Sequence, residues 1–314
     1  MISIVILTCN RQEVLLENLE MISKQTFSDK EVVIVDNGNS EQIKTLLDKY
    51  YHDYIYLNMP SNIGCGARND GIIATHGEIV ITLDDDVFFS DIHALERIVD
   101  LFKKKPDVSV INFKIVFDED RRIIPFNWFH PRDYRRYGDM EFETDYISEG
   151  AVAFRREIFK LAGYYPAEFY LSHEGPDLAY RIINAGYKII YSPKVEVIHK
   201  VSGIQRPNWR NSYYDTRNQI WLGIRNYPAS MLIPHLIYRL GTTFLFSIAR
   251  GHFRWYLKAL LDAAIGLPRE LTYRNPISKK NIKRLREIRK LKPGFLEKAR
   301  DFAEKIQLVK RYYN

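Results

Sequence analysis

The sequence predicts an α/β fold: a Rossmann-like, mostly parallel central sheet with helices on both faces, followed by a helical C-terminal extension. Three observations predict it. Short apolar runs alternate with helix-length stretches through the first half of the chain. Polar clusters follow the ends of those runs. After about Arg206 the pattern becomes helical, apolar and basic. Continuous apolar strands belong to parallel sheets, because crossover helices bury both faces.

The elements follow in order. Ile2–Leu7 reads as a buried strand, and Arg11–Lys24 places Val14, Leu15, Leu19 and Ile22 at helical spacing. Glu31–Val35 is a second apolar run, ended by Asp36-Asn37-Gly38. A short helix over Glu41–Tyr50 precedes a third strand at Tyr54–Leu57. Ala67–Thr75 reads as helix, and Ile79–Leu83 as a fourth strand ending in Asp84-Asp85-Asp86. Ile92–Lys104 is a helix and Val108–Val116 a fifth strand. The stretch Arg121–Glu143 is aromatic, Arg-rich and without period, which suits a functional loop. Periodicity returns with a strand at Gly150–Phe154, helices at Arg156–Leu161 and Asp177–Ala185, and a strand at Tyr187–Tyr191. Val195–Ile198 is strand-like and closes on His199.

Composition bounds the reading. The chain has 314 residues, 46% hydrophobic and 27% charged, which suffices for one large domain or two ordinary ones. The net charge of +7 divides unevenly: residues 1–249 carry −5 and residues 250–314 carry +12. Cys9 and Cys65 form no disulfide framework and read as small thiols in a reducing compartment. Met1–Leu7 reads at once as strand, without the basic n-region of a secretory leader. The nearest approach to a membrane-spanning segment, Met231–Ala249, is interrupted by Pro234 and Arg239. The expectation is a cytoplasmic protein, peripheral on a membrane at most.

In such sheets, ligands bind at the carboxyl ends of the strands. The polar clusters Thr8-Cys9-Asn10-Arg11, Asp36-Asn37 and Asp84-Asp85-Asp86 all fall there. Three adjacent carboxylates repel one another, and a hard cation such as Mg2+ or Mn2+ reverses the sign of that effect. Alternation along a strand would point Asp84 and Asp86 the same way, toward one ion. The bland alternative is a solvated acidic turn. Asp36 could accept hydrogen bonds from a nucleobase or ribose, or simply make an Asx-type turn. Gly64 and Gly66 precede a short helix, which suits backbone approach to an anion, and Arg68 could neutralise a diphosphate. A loop with a surface arginine is the alternative. Neither a dinucleotide fingerprint nor a P-loop is present. Before the helix at Asp177, Pro176 and Asp177 suit the first turn and its dipole. Glu174 is not needed for capping and could act as a general base beside a substrate hydroxyl. A lone His such as His199 is more often structural than ligating.

Together these segments resemble the family 2 glycosyltransferases, inverting enzymes of the GT-A fold, and among them the bacterial and archaeal rhamnosyltransferase-like type. The resemblance covers roughly residues 1–225. Thr8, Asn10 and Arg11 look like the family's opening nucleotide-binding segment, and Asp36 with Asn37 like its base-binding site. Asn62, Gly64, Ala67, Arg68, Asn69 and Gly71 match its N-x-G-x-x-x-A-R-N-x-G element. Leu83-Asp84-Asp85-Asp86 matches its metal motif, and Gly150-Ala151 resembles a stretch on the acceptor side. Glu174 through Arg181, Ala185-Gly186-Tyr187 and Pro193 match a later element, His199 a metal-shell histidine, and Arg217-Asn218 a following R-N pair. The family commonly has Glu-Asp where this chain has Glu174-Gly175, and the missing Asp is the usual base. Glu174 is the expected replacement, with Asp177 second.

The resemblance implies a GT-A catalytic domain over residues 1–225: a nucleotide-sugar half to about 116 and an acceptor half over 117–225. Residues 226–314 form a helical, basic extension. It implies a UDP-sugar or dTDP-sugar donor and Mn2+ or Mg2+ held by Asp84 and Asp86, with His199 joining them. Donor contacts would come from Thr8, Asn10, Arg11, Asp36, Asn37, Gly64, Arg68, Asn69, Asp84, Asp85 and Arg217. The transferred group would be a hexose or deoxyhexose, and the acceptor a saccharide or lipid-linked saccharide. Apolar runs interleaved with cations over residues 230–292 suit an anionic leaflet; helical packing or a homodimer contact are the alternatives. No nucleic-acid module is visible. A sugar-nucleotide nucleotidyltransferase and a catalytically inactive relative remain the rival readings.

Overall fold

The computed structural model describes residues 1–50, 54–200 and 209–312. The expected onset of helix near Arg206 lies outside them. In chain order the first unit runs β1 (Ile2–Thr8), α1 (Gln12–Ser23), β2 (Lys30–Asp36), α2 (Glu41–Tyr50), β3 (Ile55–Asn58), α3 (Ala67–Ile73) and β4 (Ile79–Asp84). There follow β5 (Val87–Phe89), α4 (Ala94–Lys104), β6 (Val108–Phe117), α5 (Tyr134–Tyr137), β7 (Phe142–Glu143) and β8 (Ala151–Arg155). Last come α6 (Ile158–Ala162), α7 (Glu174–Asn184), β9 (Lys188–His199), α8 (Trp209–Asn226), α9 (Ala229–Ala249), α10 (Phe253–Thr272), α11 (Lys279–Ile288) and α12 (Phe295–Tyr312).

The sheet order is β3-β2-β1-β4-β8-β6-β9-β5, with β7 beside β9. β1, β2, β3 and β4 pair in parallel, as the alternating pattern predicts. β8 departs from it, lying antiparallel between β4 and β6. After β6 the chain makes no crossover helix; it travels through residues 118–150 and drops back into the sheet. Parallel pairing needs a crossover, so β8 runs the other way. β5 and β7 are also antiparallel to β9, which makes the sheet mixed. β9 fuses two expected runs through Ser192-Pro193-Lys194, where its register against β6 shifts between Phe113 and Lys114. A bulge is where a strand tolerates proline.

Strand alternation splits the core into two layers. Ile2, Ile4 and Ile6 of β1 pack with Leu15, Leu19, Ile98 and Leu101 on the α1–α4 side. Val5, Val33, Val80 and Phe154 pack with Ile72, Leu178 and Ile182 on the α3–α7 side.

The helical tail is tied to the sheet by ion pairs. Arg284 of α11 reaches Glu143, and Arg289 pairs with Asp145. Near α12, Arg135 pairs with Asp301 and Glu304. Part of the tail's positive charge is therefore spent on packing. α9 is continuous through Pro234, which lies in its second turn and removes only one early backbone bond. Among the described residues it is one helix long and apolar enough to cross a membrane, by length and composition. The expected interruption by Pro234 and Arg239 is thus absent; Arg239 turns to Gln219 on α8.

The irregular stretch is more ordered than its sequence suggests. Trp128, His130, Phe142 and Tyr191 form a packed aromatic cluster, with Trp128 and Tyr191 ring centroids 5.0 Å apart.

Candidate active site

The carboxyl ends of β1 and β4 lie side by side, which brings Thr8 and Arg11 to the acidic triplet. Thr8 Oγ1 donates to Asp85 Oδ2 at 2.8 Å. Arg11 pairs with Asp85 at 2.6 Å and also with Asp86. Arg68, from α3, pairs with Asp84. Asn18 Nδ2 braces the turn by donating to the carbonyls of Asp85 at 3.1 Å and Val87 at 2.9 Å. Burial lifts the Asp85 carboxyl to about 7 against the pull of Arg11. β4 ends at Asp84, and Asp85-Asp86 form a turn, so strand alternation stops there. Asp84 and Asp86 consequently face different arginines.

His199, at the end of β9, brings Nε2 to 3.7 Å from Asp86 Oδ1. Its Nδ1 lies 3.1 Å from the Asn127 side-chain amide.

The β2 side of the edge is held by turn chemistry. Asp36 is fully buried and accepts from Gly38 N at 2.8 Å, Ser40 N at 2.9 Å and Tyr56 OH at 2.8 Å. These are the bonds of an Asx-type turn. Asn10 adopts φ 55° and lies against Gly38. Asn37 Oδ1 accepts from Ile63 N at 3.0 Å, and its Nδ2 donates to Asn62 Oδ1 at 3.1 Å. The glycine loop docks on the chain rather than presenting free amides: Cys65 N donates to Tyr170 O at 2.8 Å, and Gly64 N to Asn62 Oδ1 at 3.0 Å. Asn69 is bonded both ways to the Tyr165 backbone. Of this segment, Arg68 is the side chain that reaches the acidic turn.

A second carboxyl cluster meets the triplet from below. Asp84 N donates to Gly150 O at 3.1 Å, and a Cβ on Gly150 would lie 2.4 Å from Asp84 Oδ2. Glu149 is thus next in the chain to a residue packed on Asp84. Gly175 N donates to Glu149 Oε1 at 2.6 Å. Glu174, next in the chain, is buried, and its Oε2 has no hydrogen-bond partner. Burial first, then the neighbouring Glu174, raises the Glu149 carboxyl to about 8. Burial also raises Glu174, against the attraction of Arg68.

The loop before Glu174 is unusual. Tyr170, Ser172 and His173 all hold positive φ, at 63°, 70° and 68°. Non-glycine residues there cost energy and persist only when the surroundings enforce them. The enforcement comes from α8. Asn218 Nδ2 donates to the carbonyls of Phe169, Leu171 and Ser172, and Arg217 donates to Glu168 O and Phe169 O. His173 Nε2 bonds Asp215 Oδ1 at 2.6 Å.

The model of the family described as Glycosyl transferase family 2 matches residues 3–162, just over half of the chain. The chain belongs to glycosyl transferase family 2. The O-antigen chain rhamnosyltransferase WbaN of Salmonella anatum is 25% identical over 206 residues, 62% of this chain and 63% of its own length. The glucosyl-dolichyl phosphate glucuronosyltransferase of Haloferax volcanii is 26% identical over 217 residues, 64% of this chain and 69% of its own. The matched region thus spans less than two thirds of the rhamnosyltransferase. S. aureus TarS 1-349 in complex with UDP-GlcNAc aligns with a TM-score of 0.59 at 18% identity, covering 92% of this chain and 90% of that one. The mannosyltransferase PcManGT from Pyrobaculum calidifontis, in complex with GDP-Man and Mn2+, aligns with a TM-score of 0.57 at 17% identity, covering 97% and 84%. These likenesses show the GT-A fold.

Two sequence expectations for this family 2 chain need correction. Asp177 is fully buried, its oxygens facing Arg181, Arg225 and Asn226. It joins α7 to α8 and has no access to a substrate proton. Arg217 is buried against Trp221 with its donors on loop carbonyls, so it positions the loop before Glu174 instead of facing a diphosphate. The sequence reading missed Glu149. Its signal was a lone acidic residue between Ser148 and Gly150, just before an apolar strand.

Among the described residues no three His, Cys, Asp or Glu side chains converge as a ready metal cage. Asp86 Oδ1 and His199 Nε2 do fit two positions of an open site. The two atoms lie 3.7 Å apart, and the Asn127 side chain holds the imidazole by its other nitrogen. Hard divalent ions commonly take their remaining ligands from phosphates and water.

Proposed function

We propose that this family 2 member transfers a sugar from a nucleotide-diphosphate sugar to an acceptor hydroxyl, with inversion. Supporting it is one arrangement: the acidic turn, its two arginines and a pair of high-pKa carboxyls share the carboxyl edge of the sheet. Thr8, Asn10, Arg11, Asn37 and Arg68 frame the donor side, with Asp36 shaping the turn beneath. Asp86 and His199 would hold Mn2+ or Mg2+, which when bound stabilises charge on a leaving diphosphate. Asp84 pairs with Arg68 as Asp86 pairs with Arg11. Arg11 and Arg68 would add positive charge at this edge. The proton acceptor belongs to the pair containing Glu174. Residues 1–225 act as the catalytic unit and 226–314 as appended helices.

The acceptor is a saccharide or lipid-linked saccharide presented at an anionic leaflet on the cytoplasmic side. Support comes from the outer face of α9 and α10. Ile237, Leu245, Leu261 and Ile265 are 61–73% exposed, beside Arg250 and Arg254. Apolar side chains fringed by cations suit a lipid interface.

The test is a panel of UDP-, dTDP- and GDP-sugars, scored for Mn2+-dependent thermal stabilisation and nucleoside diphosphate release. Stabilisation by one donor, lost in Asp86→Ala and with EDTA, is the expected result. A panel with no stabilising donor at millimolar concentration overturns the reading.

A further inference from the structure

Glu149 lies outside every motif that the sequence offers, yet it occupies a built position. The Gly175 amide fixes its Oε1 at 2.6 Å. Thr82 Oγ1 donates to its backbone carbonyl at 2.6 Å, anchoring the residue to β4. A Cβ at position 175 would meet Glu149 Oε1 at 2.2 Å and the Ile147 carbonyl at 2.2 Å. The glycine at 175 is therefore what lets this carboxyl stand where it does. Through Gly150 the same segment abuts Asp84.

The pair is asymmetric. Glu174 Oε2 is sealed from solvent without a partner, whereas Glu149 keeps partial exposure. The two carboxyls titrate as a pair, and the unpartnered Oε2 of Glu174 is the position that gains most from the proton they share. Two carboxyls this close share one negative charge, and the exposed member is the one a substrate can reach.

We propose that Glu149 is the catalytic base of this site and that Glu174 is its protonated partner. This rests on the glycosyl-transfer reading above. In the step, the acceptor oxygen forms a bond to the anomeric carbon while its O–H proton passes to Glu149. The bond from the anomeric carbon to the diphosphate oxygen breaks, and the diphosphate leaves with that electron pair. Glu174 keeps its proton throughout. Around Glu149 stand Glu174 as an acid, Arg68 as the cation, and Tyr146, Tyr165 and Cys65 as weak acids, while Asp84 acts on Glu174.

The experiment compares Glu149→Gln and Glu174→Gln in the full chain. The donor is the one that stabilises the wild type, and the readouts are kcat, donor KM and donor-dependent thermal shift. Glu149→Gln should lose at least a thousandfold in kcat, with donor KM and thermal shift unchanged. Glu174→Gln should keep transfer within about a hundredfold, with the rise of kcat with pH in its wild-type place. That follows because a neutral amide replaces a neutral acid beside Glu149. Glu149→Gln retaining more than a tenth of wild-type kcat overturns the proposal. So does Glu174→Gln falling as far as Glu149→Gln, which assigns the base to Glu174. If the wild type itself binds a donor but transfers nothing, the parent reading fails first. The thermal shift shows that each variant is folded and binds donor.

Discussion

Asn218 Nδ2 donates to Ser172 O at 2.8 Å, two residues before Glu174, and this bond carries the position of α8 into the carboxyl site. The same nitrogen also serves the Phe169 and Leu171 carbonyls. The two N–H donors of one amide are thus shared among three carbonyls of a loop whose φ angles its own residues disfavour. Helix α8 acts on the site by fixing backbone, without supplying a reacting group.

Asn218→Ala should therefore lower both stability and transfer. Buried carbonyls left unpaired cost about 1–3 kcal/mol. With part of the enforcement gone, the left-handed residues relax and Glu174 shifts. Urea unfolding should show a loss of that size, and kcat should fall more than tenfold while donor-dependent thermal shift persists. An Asn218→Ala protein with native stability and kcat would show that the loop holds its shape unaided.

His130 makes stability sensitive to acid. It is buried among aromatic rings, and burial alone lowers its imidazole to about 3. In the unfolded chain the ring titrates near its ordinary value, about 6.5. Between those values the unfolded state binds the proton and the folded state does not. Stability is therefore full above about 6.5 and lost as pH falls toward 3. The slope reaches about 1.4 kcal/mol per pH unit from this one group. Urea unfolding at pH 7, 6 and 5 should show it, and His130→Asn should flatten it by about that amount. An unchanged slope in the variant would place the acid sensitivity elsewhere.

Binding to vesicles tests the α9–α10 face. The wild type should sediment with vesicles containing anionic phosphatidylglycerol at low salt and not with neutral phosphatidylcholine. Ile237→Ser with Leu245→Ser should abolish sedimentation while donor-dependent thermal stabilisation stays unchanged. Equal binding to both lipids, or none to either, removes the anionic leaflet as the occupant of this face.

Much of the parallel half was legible in the residues. Runs such as Ile2–Leu7 and Val32–Val35 are apolar at every position, which a strand buried on both faces requires, and their polar ends mark the ligand edge. The antiparallel β8 was not legible, because strand direction depends on whether a connection crosses the sheet or returns along its edge. Pro234 looked like a break; its place in the second turn of α9 made it tolerable. Asp177 and Arg217 carried the right chemistry in the right order, and burial gave both to packing.

By itself the sequence determined the local quantities: strand and helix periods, the acidic turn after β4, the basic tail and the glycine at 175. Only tertiary structure decided which side chains meet. Glu149 lies 26 residues from Gly175 in the chain, yet accepts its amide at 2.6 Å. Local spacing cannot encode such a contact, because it exists only once β8 has slotted between β4 and β6 and α7 has packed beneath them.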